Sequence, residues 1–196
     1  MPEPKSKPSQ LHTELRQATR DLHQQLDQQI GQFGITKSAA GYARYLELMQ
    51  TLFEWAEPCI QHVTSSVPEL AFNPPLAQFI AQDRNQLDIP DGPLIPIDII
   101  TQYPSPQTAG AHWGTVYVLE GSSMGARFLL KAVRDHFPED VPHHFLNTLT
   151  QDSQTRWPLF LESLANADVN STETVEGAEL LFQLAIDLAG SAPPTP

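Results

Sequence analysis

Four glycines recur inside one apolar stretch, TAGAHWGTVYVLEGSSMGARFLLKAVRDHF. Wound as a helix at roughly 100° per residue, Gly110, Gly114, Gly121 and Gly125 fall within about 60° of one another and form a strip without side chains. Each glycine inside a helix costs about 1 kcal/mol relative to alanine, so the strip needs a contact at close range to offset it. Two contacts would serve: the backbone of a second helix, or a flat ligand laid on the bare face. Ser122 and Ser123 add hydroxyls within the strip, which either bond back to their own helix or meet a small polar ligand.

A second candidate lies in LRQATRDLHQQLD. His23 stands between Leu22 and Leu26 at the edge of an apolar stripe, where a neutral imidazole can bind a metal through one nitrogen. Asp27, one turn on, can accept the other ring N–H and fix the tautomer, the usual support of a metal-bound histidine. Taken alone, a histidine such as His23 is usually structural, and Asp27 is equally readable as a solvated acid. Arg16 and Arg20 lie on much the same face, where they either meet carboxylates of a ligand or serve as surface charge.

The elements that must position these residues all read as helices. Leu11, Leu15, Ala18, Leu22, Leu26 and Ile30 recur every three or four positions and predict a helix over 11–30. Ser38 is a candidate N-cap for a second, in which Pro58 should kink or break the chain. A third runs from about Pro75 to Gln86. Five prolines between 87 and 107 predict an irregular crossover. Three more helices follow: Thr108 to Phe137, Pro142 into the 160s with an interruption near Pro158, and Thr172 to Leu188. No segment alternates as a strand would, so the fold class is all-α, with six or so helices and no internal repeat.

Length and composition narrow the function. The 196 residues, 40% of them hydrophobic, suit one domain. It should occupy 10–190, between disordered tails at 1–9 and 191–196. With 11 basic against 23 acidic residues, the net charge of −12 argues against a nucleic-acid partner or an anionic membrane surface. No run of about 18 apolar residues suggests a membrane span. Cys59 is the only cysteine, so there is no internal disulfide and no Cys/His array of the zinc type, and a reducing cytoplasm is the expected location.

These residues resemble a known family. LRQATRDLHQQLD is similar to the proximal helix of haem oxygenases, in which a histidine ligates haem iron, and YVLEGSSMGARFLLK resembles their glycine-rich distal helix. The two motifs lie about a hundred residues apart in the family's order. The likeness extends over roughly 10–190, through WPLFLESL and ELLFQLA, and is nearest to soluble bacterial enzymes of the biliverdin-producing type. It implies a haem-oxygenase-like helical bundle. The implied reaction is oxidative ring opening of haem to biliverdin, with release of CO and ferrous iron, in which haem is both cofactor and substrate.

Carried over position by position, the resemblance makes His23 the axial ligand, supported by Asp27. It makes Gly121 and Gly125 the distal contacts over haem, Arg16 a propionate partner, and Arg156 a second base near the propionates. Ser122 stands where many relatives carry Asp, and Phe160 replaces a further base. In this reading Ser122 or Ser123 helps to hold water beside bound O2. No nucleotide-binding fingerprint is present, so electrons must come from a separate donor, a ferredoxin or a flavin reductase. Arg127, Lys131 and Arg134 form a basic face that could dock an acidic donor, or be simply solvated. A haem-binding protein of the same fold that stores, delivers or senses haem without degrading it is the alternative.

Overall fold

Three of the six helices expected from periodicity are each divided in two. The computed structural model describes residues 9–87, 96–137 and 141–191, so the expected tails lie outside it apart from Ser9 and Ser191. The stretch 11–30 forms α1 (Gln10–Ala18) and α2 (Arg20–Gly31). They part at Thr19, whose N–H and buried hydroxyl both donate to the Leu15 carbonyl, at 3.0 and 2.8 Å.

Ser38 caps α3 (Ala39–Trp55), its Oγ accepting from the Gly41 N–H at 3.0 Å. At Ala56 the chain turns into α4 (Glu57–Ser66), with Pro58 in its first turn, where the lost donor is already surplus. α5 (Leu76–Gln86) begins directly after Pro75. Of the proline-rich crossover, 88–95 lies outside the described residues, and Ile97–Gln102 is a short 3-10 helix. The glycine-bearing helix, α6 (Ala109–His136), runs for 28 residues from its Thr108 cap.

The next division corrects the sequence reading. α7 (His144–Gln151) ends at Asp152 and α8 (Ser153–Asn166) begins there, while Pro158 lies inside α8 without interrupting it. Pro158 costs α8 one hydrogen bond, but Trp157 stacks on Phe160 at 5.9 Å, and Phe160 and Leu164 are fully buried. Tertiary packing holds the turn that the proline would loosen. α9 (Ser171–Gly190) closes the described chain, with Asn170 accepting from the Glu173 N–H at 3.1 Å.

Every regular element is helical, and no strand occurs among the described residues. α6 and α9 share the largest interface, and α2 packs on α9 as well. One apolar cluster gathers Leu46, Leu48, Phe145, Leu184 and Leu188 from α3, α7 and α9. A second gathers Leu15, Trp113, Phe160, Leu164 and Ala178 from α1, α6, α8 and α9. Among the described residues no helix is long and apolar enough to cross a membrane.

Candidate functional site

The four glycines divide into two pairs with different surroundings. A Cβ on Gly114 would stand 1.8 Å from the Thr174 carbonyl oxygen, and one on Gly110 would stand 2.8 Å from the Glu173 Cβ. α9 answers with its own Gly177, where a Cβ would meet the Ala111 carbonyl oxygen at 2.2 Å. The two backbones touch along this half of the strip, which is the helix-packing use of small residues.

At Gly121 and Gly125, α9 no longer covers the strip. A Cβ on Gly121 would meet only the ring edge of Trp157, at 3.6 and 3.8 Å, and one on Gly125 would meet nothing within 4 Å. Beside this open pair stand Met124, 37% exposed, and Phe128, 80% exposed, the only large hydrophobic side chains left exposed among the described residues. At 100° per residue Gly121, Met124, Gly125 and Phe128 share an arc of about 100°. The core-facing residues of this half, Ala126, Leu130 and Val133, are buried on the other side. The open face of α6 is thus apolar and poor in side chains, the character expected of a surface that receives a partner or ligand.

Four contacts, all made with α9, set the height of His23 along the bundle. Thr115 on α6 donates to the Gly177 carbonyl on α9, an offset of 62 residues, and Gly110 meets Glu173, so α6 and α9 run in the same direction. The His23 ring packs 5.7 Å from Phe182, and Gly190 meets Gln29, so α2 also runs with α9. With that offset, Phe182 and its neighbour His23 stand level with Glu120 and Gly121. α2 and α6 share no extended interface; both are held on α9.

The His23 Nδ1 lies 3.0 Å from Asp27 Oδ2, and both side chains are about two-thirds exposed. Asp27 thus occupies one ring nitrogen and leaves Nε2 to be a ligand. Arg16 is also exposed. Its charge adds to burial in holding the His12 imidazole below the usual histidine range, and partly offsets the upward push of burial on the Tyr117 phenol. His12 itself is wedged edge-on against Tyr117 and Trp157, at 6.0 and 5.9 Å, and is a packing residue.

Arg156 is placed differently from the role the resemblance implies. It is 9% exposed, pairs with Glu120 across α6 and α8, donates to the Leu70 carbonyl at 2.9 Å, and stacks on Phe72 at 3.7 Å. A guanidinium committed to these three partners is an internal tie, turned away from any exposed carboxylate. Burial pushes the Glu120 carboxyl above the usual range, and Arg156 pulls it back. Phe160, where a second base was absent, is fully buried.

Both serines of the strip bond their own helix: Ser122 Oγ donates to the Leu119 carbonyl at 2.6 Å, and Ser123 Oγ to that of Glu120 at 2.7 Å. Of the basic face, Lys131 pairs with Asp135, Arg134 donates to Asn147, and Arg127 donates to the Gln154 amide. Trp157, Met124, Phe128 and Phe182 border the site without having been singled out in the sequence. The signal for Met124 and Phe128 was their i, i+4 spacing on the glycine side of α6.

Two recesses lie elsewhere. One of about 610 Å³ is lined by His62, Val67, Trp113, Leu159, Glu162 and Asp168, and a second, of about 440 Å³, lies between Gln25, Gln29, Ile99 and Asp187. Among the described residues no three His, Cys, Asp or Glu side chains gather as a ready-made metal centre. Haem asks for less: one imidazole ligand, a bare strip for a flat ring, an apolar rim and a cation for a propionate. Taken one by one, the exposed His23, Gly121 with Gly125, Met124 with Phe128, and Arg16 are of the right kind, each on its own helix surface; Arg156, tied inward, is not. No protein-family model matches the chain, and no curated protein matches it.

Proposed function

We propose that this chain is a haem oxygenase of all-α, haem-oxygenase-like architecture, opening haem to biliverdin with O2 and electrons from a separate donor. What carries the reading is the division of the glycine strip. Gly110 and Gly114 are used up in packing on α9, whereas Gly121 and Gly125 have no packing use and lie beside the exposed Met124 and Phe128. A helix that retains glycine where no neighbour requires it has left room for something else.

In this reading His23 holds the iron through Nε2, and Asp27, by fixing the proton on Nδ1, keeps Nε2 in the basic form. Gly121 and Gly125 bring the α6 backbone close to the ring and leave space for O2. Met124 and Phe128 cover apolar ring edge and exclude water, and Arg16 meets a propionate. When bound, haem supplies the oxygen-activating iron and is itself the substrate, leaving as biliverdin, CO and ferrous iron.

Addition of hemin should give a saturable Soret band, and a reductant with O2 should then yield biliverdin identified by chromatography. A protein that gives the band and no ring-opened product is instead a haem carrier or sensor. One observation favours that second reading: the Ser122 proton is already committed to the Leu119 carbonyl, so it is not available to a water network.

A further inference from the structure

His62 on α4 and His112 in the first turn of α6 face one another across the α4–α6 contact, with ring centroids 4.6 Å apart and ring planes inclined by 53°. The His112 Nε2 lies 3.0 Å from the Pro106 carbonyl oxygen. A carbonyl only accepts, so Nε2 carries the proton and, in the neutral ring, Nδ1 carries a bare lone pair. That Nδ1 is buried and has no hydrogen-bond partner among the described residues. An orphaned buried acceptor of this kind calls for an unseen water or ion.

We infer that His62 and His112 form a binding site for a divalent transition-metal ion of the Zn2+ type, separate from the haem face. Four observations converge on it. The imidazole pair is the donor set such ions prefer over Mg2+ or Ca2+. Two imidazoles bound to one ion at about 2.0–2.1 Å each have centroids roughly 4.5–5.3 Å apart for angles between a right angle and a tetrahedral one, which brackets the observed separation. The N–H of His112 given to a backbone carbonyl is the support that fixes the tautomer and orients a metal-bound histidine. Finally, His62 also lines the 610 Å³ recess that holds Glu162 and Asp168, which gives a cation an acidic approach to the outer ring of the pair. The two imidazoles would be the protein ligands, and water would complete the coordination. The ion ties α4 to the start of α6.

The test is calorimetric titration of the haem-free full-length protein with Zn2+ alone, on wild type, His62→Ala, His112→Ala and His23→Ala. His62 is exposed, so His62→Ala should melt as wild type without metal, which separates loss of binding from loss of fold. One Zn2+ should bind wild type and His23→Ala alike and raise their melting temperatures. Both other variants should lose at least tenfold in affinity, and His62→Ala should lose the thermal shift. Absence of Zn2+ binding by wild type, or a loss smaller than tenfold in either variant, overturns the site.

Discussion

Asp27 Oδ2 sits 3.0 Å from His23 Nδ1, one turn along α2, with both side chains open to solvent. An exposed pair of this kind adds little to stability, because solvent screens it and the side chains lose freedom in forming it. Its use lies in the tautomer it selects. His23→Ala should therefore leave the melting temperature within a degree or two of wild type while removing the nitrogen signature of the axial ligand from the hemin complex, with turnover falling at least tenfold. Added imidazole should restore part of both. Unchanged spectra and turnover in that variant would sink the assignment.

The two glycine pairs give opposite outcomes for one chemical change. Gly125→Ala adds a Cβ that meets nothing, so it should leave the fold intact or stabilise it by up to about 1 kcal/mol through helix propensity. Gly114→Ala drives a Cβ into the Thr174 carbonyl and should destabilise by about 3 kcal/mol or more. Gly125→Leu extends the first case: a folded protein whose haem turnover falls at least tenfold. Thermal melts and initial rates of biliverdin formation check the set, and a Gly125→Leu protein that turns over at the wild-type rate rejects the haem contact.

How much of this was legible depended on whether the cause was local. Thr108, Ser38 and Asn170 cap their helices as such residues do anywhere, so the starts of α6, α3 and α9 could be read to within a residue or two. The start of α7 was also legible to within two residues, from Pro142, but its cap was not. Its first N–H groups, those of His144 and Phe145, donate to the buried carboxylate of Asp83 on α5, a cap supplied from 61 residues away. Pro158 misled for the same reason, since the stack of Trp157 on Phe160 that steadies α8 is closed from the far side by Tyr117 of α6. At the site, the spacing of the glycines was visible, but their split into a packed and an open pair depends on where α9 lies. Arg156 could be matched by position; that it turns inward to Glu120 is decided by a partner on another helix. His62 and His112 stand fifty residues apart and carry no spacing signal at all.

Arg156 and Glu120 test the inward role. Removing one member of a buried ion pair strands the other, so Arg156→Met should cost about 3–5 kcal/mol, whereas Arg156→Met with Glu120→Leu should recover most of it. The pH dependence has a definite sign. Burial raises the folded-state pKa of Glu120 above 4.5, so the folded state binds more protons than the unfolded one, and this group's contribution falls as pH rises from 4.5. Arg156 is what limits that fall. Denaturant melts of Arg156→Met between pH 4 and pH 7 should show stability dropping with pH more steeply than in wild type; parallel curves would mean that Glu120 does not depend on Arg156.

Ser122 decides between a catalytic hydroxyl and a helical one. Its Oγ donates to the Leu119 carbonyl at 2.6 Å, and a hydroxyl has one proton to give. What remains are lone pairs, which can accept from a water but cannot pass a proton to it. Ser122→Ala therefore removes only an acceptor and a bond that competes weakly with the helix ladder. Hemin affinity and the rate of biliverdin formation should stay within twofold of wild type, and hydrogen peroxide released per electron consumed should be unchanged. Ser122→Asp places a fixed negative acceptor at the same point of the open face, where it can order water more firmly, and should lower peroxide release. A slower rate and more peroxide in Ser122→Ala would show that the hydroxyl leaves Leu119 when haem is bound. The proton path would then run through Ser122 rather than through the backbone and water beside Gly121.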